Sequence, residues 1–219
     1  MPPLLLLTRP EPASHRFAAE AAGLGLEVVI SPILRIVPVA HDEARLAAAE
    51  GLVFTSENAV PFAGEGRGRP AICVGPRSAE VARAAGFDAV AGPGDAARLM
   101  PMLHDLGAGW LHPHGVHIAK KLPVAGMAVY DQLPVALNEQ ARAALGGARP
   151  VLLPLFSPRS ARLLAEEAQT ARAPLWVAPI SAAAWENWAA AAARHAVAPT
   201  PDAPGILHAL REMLAVEQS

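Results

Sequence analysis

Small hydroxyl and amide residues cluster directly behind short apolar runs. "FTSENAV" at 54–60 places Thr55, Ser56 and Asn58 behind "GLVF", and "FSPRSAR" at 156–162 places Ser157 and Ser160 behind "VLLPL". At a helix start such side chains cap free backbone N–H groups. The same N–H groups can instead hold a carboxylate or phosphate, helped by the helix dipole. Gly75-Pro76-Arg77-Ser78 and Ala178-Pro179-Ile180-Ser181 repeat the arrangement behind the next apolar runs. Arg9 leaves "LLLLTRP", where a guanidinium either pairs at the surface or grips a carboxylate through two parallel bonds. Tyr130, the only tyrosine, sits in "MAVYDQ". It is either a buried ring with a polar handle or a hydroxyl that passes a proton to a leaving group.

Other chemistries fit less well. Ser56 lacks the Gly-x-Ser-x-Gly elbow of a nucleophile, and no His/Asp pair is marked as its base and orienter. "GEGRGRP" at 64–70 lies between a helix and a strand rather than after a strand, so it reads as a connector with surface arginines, not a phosphate loop. His112, His114 and His117 in "HPHGVH" have no Cys or carboxylate nearby to complete a zinc set, which favours accessible imidazoles in a strand-end loop. Lys120 and Lys121 are expected on the following helix. Cys73, the single cysteine, lies inside "AICVG" and reads as a buried strand residue. The net charge of −2 argues against a nucleic-acid surface. No apolar run reaches the ~18 residues that span a bilayer, and "PPLLLL" is too short for a secretory leader. The expectation is a cytoplasmic protein, neither membrane-bound nor bound to nucleic acid, and a monomer.

The elements that must position these residues follow from periodicity. Apolar runs alternate with alanine-rich helical stretches through the whole chain, the pattern of a mostly parallel α/β architecture. The pattern also repeats. "FTSENAV" falls over "FSPRSAR", "VGPRSAEVARAA" at 74–85 over "VAPISAAAWENW" at 177–188, and "GLEVVISPI" at 25–33 over "GMAVYDQLP" at 126–134, in the same order. An internal duplication predicts two similar lobes, each a mostly parallel sheet with helices on both faces. The proline-containing segments 31–39 and 130–136 would cross between them. Residues 1–34 with 134–219 would form one lobe, and 39–129 the other. A single continuous doubly wound sheet is the alternative. Loops at the carboxyl ends of the strands, gathered at a cleft, would then face a ligand with several acceptors.

"LLLLTRP", "GLVFTSENAV", "VGPRSAEVARAAGF", "AVYDQLPV", "LFSPRSAR" and "VAPISAAA" stand in the order found in uroporphyrinogen-III synthases, and the chain resembles that family over nearly its full length. The resemblance implies two α/β domains joined by a two-stranded linker. It implies an enzyme that closes the linear tetrapyrrole hydroxymethylbilane to uroporphyrinogen III, with loss of water and inversion of ring D, and without metal or organic cofactor. Tyr130 matches the family tyrosine that assists departure of the hydroxyl. Thr55, Ser56 and Asn58 match one acidic-group loop, Gly75 and Ser78 a second, and Ser157 with Ser160 the loop of the other lobe. Ser181 falls on the family's threonine after Gly-Pro. Ala178 replaces the glycine of that pair, which would hinder close backbone approach. His114 stands where an arginine often precedes Gly115, and would make binding at that loop depend on pH. A bilobed binder of a polycarboxylate or sugar phosphate without turnover, and a degenerate family member, are the competing readings.

Overall fold

The computed structural model describes residues 1–94, 96–118 and 121–215. In chain order the elements are β1 (Leu4–Leu7), α1 (Glu11–Glu20), β2 (Glu27–Ile30), β3 (Leu34–Pro38), α2 (Glu43–Ala47), β4 (Gly51–Phe54), β5 (Pro70–Cys73), α3 (Pro76–Ala84), β6 (Asp88–Ala91) and α4 (Ala96–Leu103). They continue with β7 (Trp110–Gly115), β8 (Ala125–Pro134), α5 (Glu139–Gly146), β9 (Val151–Leu155), α6 (Pro158–Glu167), β10 (Leu175–Pro179), α7 (Ala182–Glu186), β11 (Arg194–His195) and α8 (Ala203–Ala215). Short 3-10 helices occupy Ala22–Leu24 and Glu57–Phe62. The chain divides into two compact units, Met1–Arg35 with Pro134–Ser219, and Ile36–Leu133. No described helix is long and apolar enough to cross a membrane.

In the first unit five parallel strands run in the order β11-β10-β9-β1-β2. Period-two side-chain alternation divides its apolar residues between two faces. Leu4, Leu6, Leu153 and Val177 pack with α5 and α6 residues, among them Ala141, Leu145 and Leu164. Leu5, Leu7, Leu152 and Trp176 pack with Phe17 of α1 and with Ile206 and Leu210 of α8. Because both faces are covered, the strands read as nearly unbroken apolar runs.

The second unit carries the order β3-β8-β7-β4-β5-β6. Its β8-β7-β4-β5-β6 portion is parallel throughout. At the edge, Val39 N–H donates to Val129 O, and farther along Val135 N–H donates to Ile33 O, so β3 runs antiparallel to β8. Leu52, Phe54 and Cys73 pack beneath α3 and the second 3-10 helix, while Val53 packs with Leu99 and Leu103 of α4.

Each sheet has one place where the crossovers diverge. β1 leads to β2 on one side and its neighbour β9 leads to β10 on the other. Likewise β4 leads to β5, and its neighbour β7 to β8. Open α/β sheets leave a crevice beyond the carboxyl ends at such points, because the two crossover loops turn away from each other. The residues there are 8–10 and 156–157 in the first unit, and 55–56 and 115–117 in the second.

Candidate functional site

In the second unit the loop after β4 starts a helix, as the sequence suggested, and it is the short 3-10 helix Glu57–Phe62. Pro61 falls inside this segment and has no N–H to give, which limits the helix to a short, tight form. Ser56 is its N-cap, and Asn58 N–H donates to Ser56 Oγ at 3.2 Å. Thr55 turns the other way: its Oγ1 lies 2.9 Å from Nε2 of His112. His112 is 2% exposed, within strand β7, so the expected accessible imidazole is instead part of the interior. Burial, aided by the neighbouring His114, pushes its pKa down to about 4 and keeps the ring neutral.

His114 lies on the same strand, its ring 4.9 Å from that of His112. Its Nδ1 donates to the Gly115 carbonyl at 2.7 Å; a carbonyl only accepts, so the proton is on Nδ1. His117 is more exposed and lies 3.6 Å from Asp131. Among the described residues no group of His, Cys, Asp or Glu is arranged to hold a metal ion. Lys121 is exposed in a loop rather than on a helix, and Lys120 lies outside the described residues.

Tyr130 owes its place to an irregularity. β7 and β8 pair in register up to His114 opposite Ala128, then shift so that Gly115 faces Tyr130. The extra residue, Val129, makes a β-bulge, which re-aims the side chain that follows. Val129 and Tyr130 are consecutive, yet both enter the same core cluster. The ring lies over Gly115, where an added Cβ would fall 2.8 Å from ring carbons and 3.0 Å from the hydroxyl oxygen. Phe62 stacks on it with centroids 6.0 Å apart and planes 20° apart. Tyr130 is 4% exposed. Burial raises the phenol pKa, and the Ser56 side chain offsets part of that rise.

The second loop of this unit follows β5. Gly75 is the N-cap of α3, extended at φ −161°, and Pro76 follows in the first turn. Ser78 lies inside that turn and is buried. Arg77 bridges Glu57 at 2.9 Å and Glu80 at 2.7 Å. The "GEGRGRP" connector is a turn, with positive φ at Gly64, Arg67 and Gly68. Arg69 is not simple surface charge: it donates to the carbonyls of Leu46 at 2.9 Å and Ala63 at 3.2 Å, and packs over Phe87.

In the first unit Ser157 caps α6 and accepts from Ser160 N–H at 3.1 Å; the two hydroxyls lie 2.9 Å apart. Arg9, beyond β1, places its guanidinium 4.1 Å above the Phe156 ring, which packs edge-on against Phe17 at 5.0 Å. Phe156 was not singled out in the sequence; its position between an apolar strand and a capping serine was the available signal. Ser181 caps α7, accepting from Ala184 N–H at 3.3 Å. Ala178 is a fully buried residue of β10 and belongs to the core cluster that includes Leu5, Leu7 and Leu152. The geometry thus gathers Thr55, Ser56, Asn58, Gly115 and Tyr130 in one unit, and Arg9, Ser157 and Ser160 at the divergence point of the other.

Comparison with known proteins agrees in fold. A uroporphyrinogen-III synthetase structure from Helicobacter pylori 26695 superposes with a TM-score of 0.63 at 12% identity, covering 97% of this chain and 100% of its own. A mutant uroporphyrinogen III synthase from the extremely thermophilic bacterium Thermus thermophilus gives 0.52 at 16% identity, covering 99% and 100%. No curated protein matches the sequence significantly. The family model for uroporphyrinogen-III synthase HemD matches residues 15–208, nearly the whole run from α1 into α8. This chain therefore belongs to the uroporphyrinogen-III synthase family.

Proposed function

We propose that the protein converts hydroxymethylbilane to uroporphyrinogen III, with release of water and inversion of ring D. The observation that carries this reading is the family match over residues 15–208. The protonated phenol of Tyr130, set among small hydrogen-bonding residues, supplies a fitting acid.

In this reading the Tyr130 hydroxyl gives its proton to the terminal hydroxyl of the substrate as the C–O bond breaks. Water leaves with the bonding electrons and an azafulvenium cation remains. The far end attacks to form a spiro intermediate, which fragments and recloses with ring D turned over. The proton lost on rearomatisation restores the phenol. The substrate's carboxylates are held by Arg9, Thr55, Ser56, Asn58, Gly75, Ser78, His114, Gly115, Ser157, Ser160 and Ser181. Segments 31–39 and 130–136 join lobes 1–34 with 134–219 and 39–129. The protein works as a cytoplasmic monomer. A hundredfold preference over simple head-to-tail closure needs only about 2.7 kcal/mol of differential barrier. Holding the chain folded can supply much of that.

The test is to mix the purified protein with enzymatically generated hydroxymethylbilane, oxidise the products and separate the uroporphyrin isomers. The type III isomer in excess, formed faster than the uncatalysed rate, is expected. Only the symmetric type I isomer at the uncatalysed rate would overturn the reading.

A further inference from the structure

Thr55 and His112 meet where the crossovers of the second unit diverge. β4 and β7 pair in parallel with Leu52 opposite Leu111, so period-two alternation puts Val53, Thr55, Trp110 and His112 on one face of the sheet. Val53 belongs there to the core cluster of Leu99 and Leu103, with Trp110 packed against it. Thr55 stands one residue past the end of β4, half-buried, and its Oγ1 lies 2.9 Å from Nε2 of the buried His112. A threonine hydroxyl has one proton and two lone pairs. If that proton goes to the imidazole, Thr55 can only accept, and an acceptor repels a carboxylate. If the imidazole donates instead, the Thr55 proton remains to be given to a ligand.

The surroundings of the ring decide between the two. Burial holds the His112 pKa down at about 4, so the imidazole is neutral and one nitrogen alone carries a proton. Among the described residues nothing accepts from its Nδ1: the ring of His114 is 4.9 Å away between centroids, and that ring gives its own Nδ1 proton to the Gly115 carbonyl. A proton on Nδ1 of His112 would be a donor without a partner in a residue only 2% exposed, which folded proteins avoid more strictly than a spare lone pair. On Nε2 the same proton has an oxygen at hydrogen-bond distance. We infer that His112 is a positioning residue for Thr55: its Nε2–H donates to Thr55 Oγ1, and the hydroxyl proton of Thr55 is thereby turned toward a carboxylate of the substrate. His112 acts through Thr55, whose donor direction is set before the ligand arrives, so less order is lost on binding. This assignment rests on the proposed synthase activity for the identity of the carboxylate.

The tautomer can be read without substrate, from the nitrogen shifts and ring couplings of 15N-histidine-labelled protein near neutral pH, with His112→Gln identifying the resonance among the eight histidines. A protonated, pyrrole-like Nε2 and a pyridine-like Nδ1 are expected. The reverse, with the proton on Nδ1, would overturn the inference. In the isomer assay His112→Leu should raise KM about tenfold with kcat within about twofold of the parent. His112→Gln, which keeps a side-chain N–H of similar reach, should recover most of that loss, a rescue that a space-filling role would not show. Thr55→Val should match His112→Leu, and the double variant should be no worse than either alone, because both remove one interaction. Losses that multiply in the double variant, or a fall in kcat at unchanged KM, would also overturn the inference. Far-UV circular dichroism checks folding; His112→Asn, whose amide is too short to reach Oγ1, serves if the leucine variant does not fold. The tautomer measurement judges the His112–Thr55 bond even if the parent protein makes no type III isomer, a result that would count against the synthase reading alone.

Discussion

The loop after β4 and the loop after β9 come from matching stretches of sequence, yet they perform different local tasks. In "FSPRSAR" the first hydroxyl, Ser157, caps a ten-residue α-helix, and Ser160 closes the same turn. In "FTSENAV" the capping role moves one residue on, to Ser56, and the helix is a six-residue 3-10 turn. Thr55, which aligns with Ser157, turns instead to the buried His112. The phenylalanines before these loops also part company. Phe54 is fully buried, whereas Phe156 is half-buried and carries Arg9 on its ring. The next pair of loops shows the same divergence. Gly75 ends β5 early and puts Ser78 inside α3, while Ala178 keeps β10 extended through Pro179 and leaves Ser181 as the cap. One repeat thus carries a threonine–histidine hydrogen bond and a buried tyrosine, and the other an arginine over a phenylalanine ring beside a serine-capped helix.

The largest effect that would sharpen this contrast is a pH effect in one repeat alone. His112 has its folded pKa lowered to about 4, while an unfolded chain titrates near 6.5. As pH falls, the unfolded chain takes up this proton first, so stability is complete above about 6.5 and declines toward about 4. The loss attributable to His112 should be on the order of 3 kcal/mol over that window. Urea titrations of the parent and of His112→Gln at several pH values check it. Equal pH dependence in both proteins would remove the buried neutral imidazole from the account.

Next in size is Tyr130→Phe, which deletes the hydroxyl while keeping the ring over Gly115. It should lower kcat about a hundredfold, with product affinity retained. Steady-state kinetics and a product-binding titration measure the two separately; unchanged kcat would erase the functional distinction between the repeats.

The caps make a third pair. Ser157→Ala should cost about 1 kcal/mol of stability, because it uncaps a regular α-helix. Ser56→Ala should cost only a few tenths, since its longer bond caps a short 3-10 turn. Denaturant midpoints of the two variants decide this, and equal losses would make the two serines equivalent after all. Smaller than the Ser157 effect is that of Phe156→Leu. Removing the ring beneath Arg9 forfeits about 0.5–1 kcal/mol of cation–π attraction. KM should rise roughly threefold with kcat preserved, as measured by initial rates; a fall in kcat alone would separate Arg9 from substrate holding.

Periodicity sufficed to place the strands, because a strand covered on both faces must be apolar along its whole length. "LLLL", "GLVF", "VLLPL" and "LWVAP" all stand as the central strands of their sheets. The loops were legible as helix starts for a comparable reason: Ser56, Ser157 and Ser181 are of the types that accept from a free N–H, and all three do so. Their partners were less legible. Thr55 meets His112 from a distant position in the chain, and no local pattern encodes which of two adjacent hydroxyls turns inward.

From the sequence alone came the α/β class, the duplicated order of elements and the residue types that line the strand ends, because these depend on local propensity and on the side-chain period. Tertiary structure alone decided the bulge that carries Tyr130 onto Gly115, the burial that keeps His112 neutral, and the shift of one cap by a single residue. Each of these depends on how neighbouring strands settle their register and on what volume remains above a glycine, quantities that arise only when separate parts of the chain pack together.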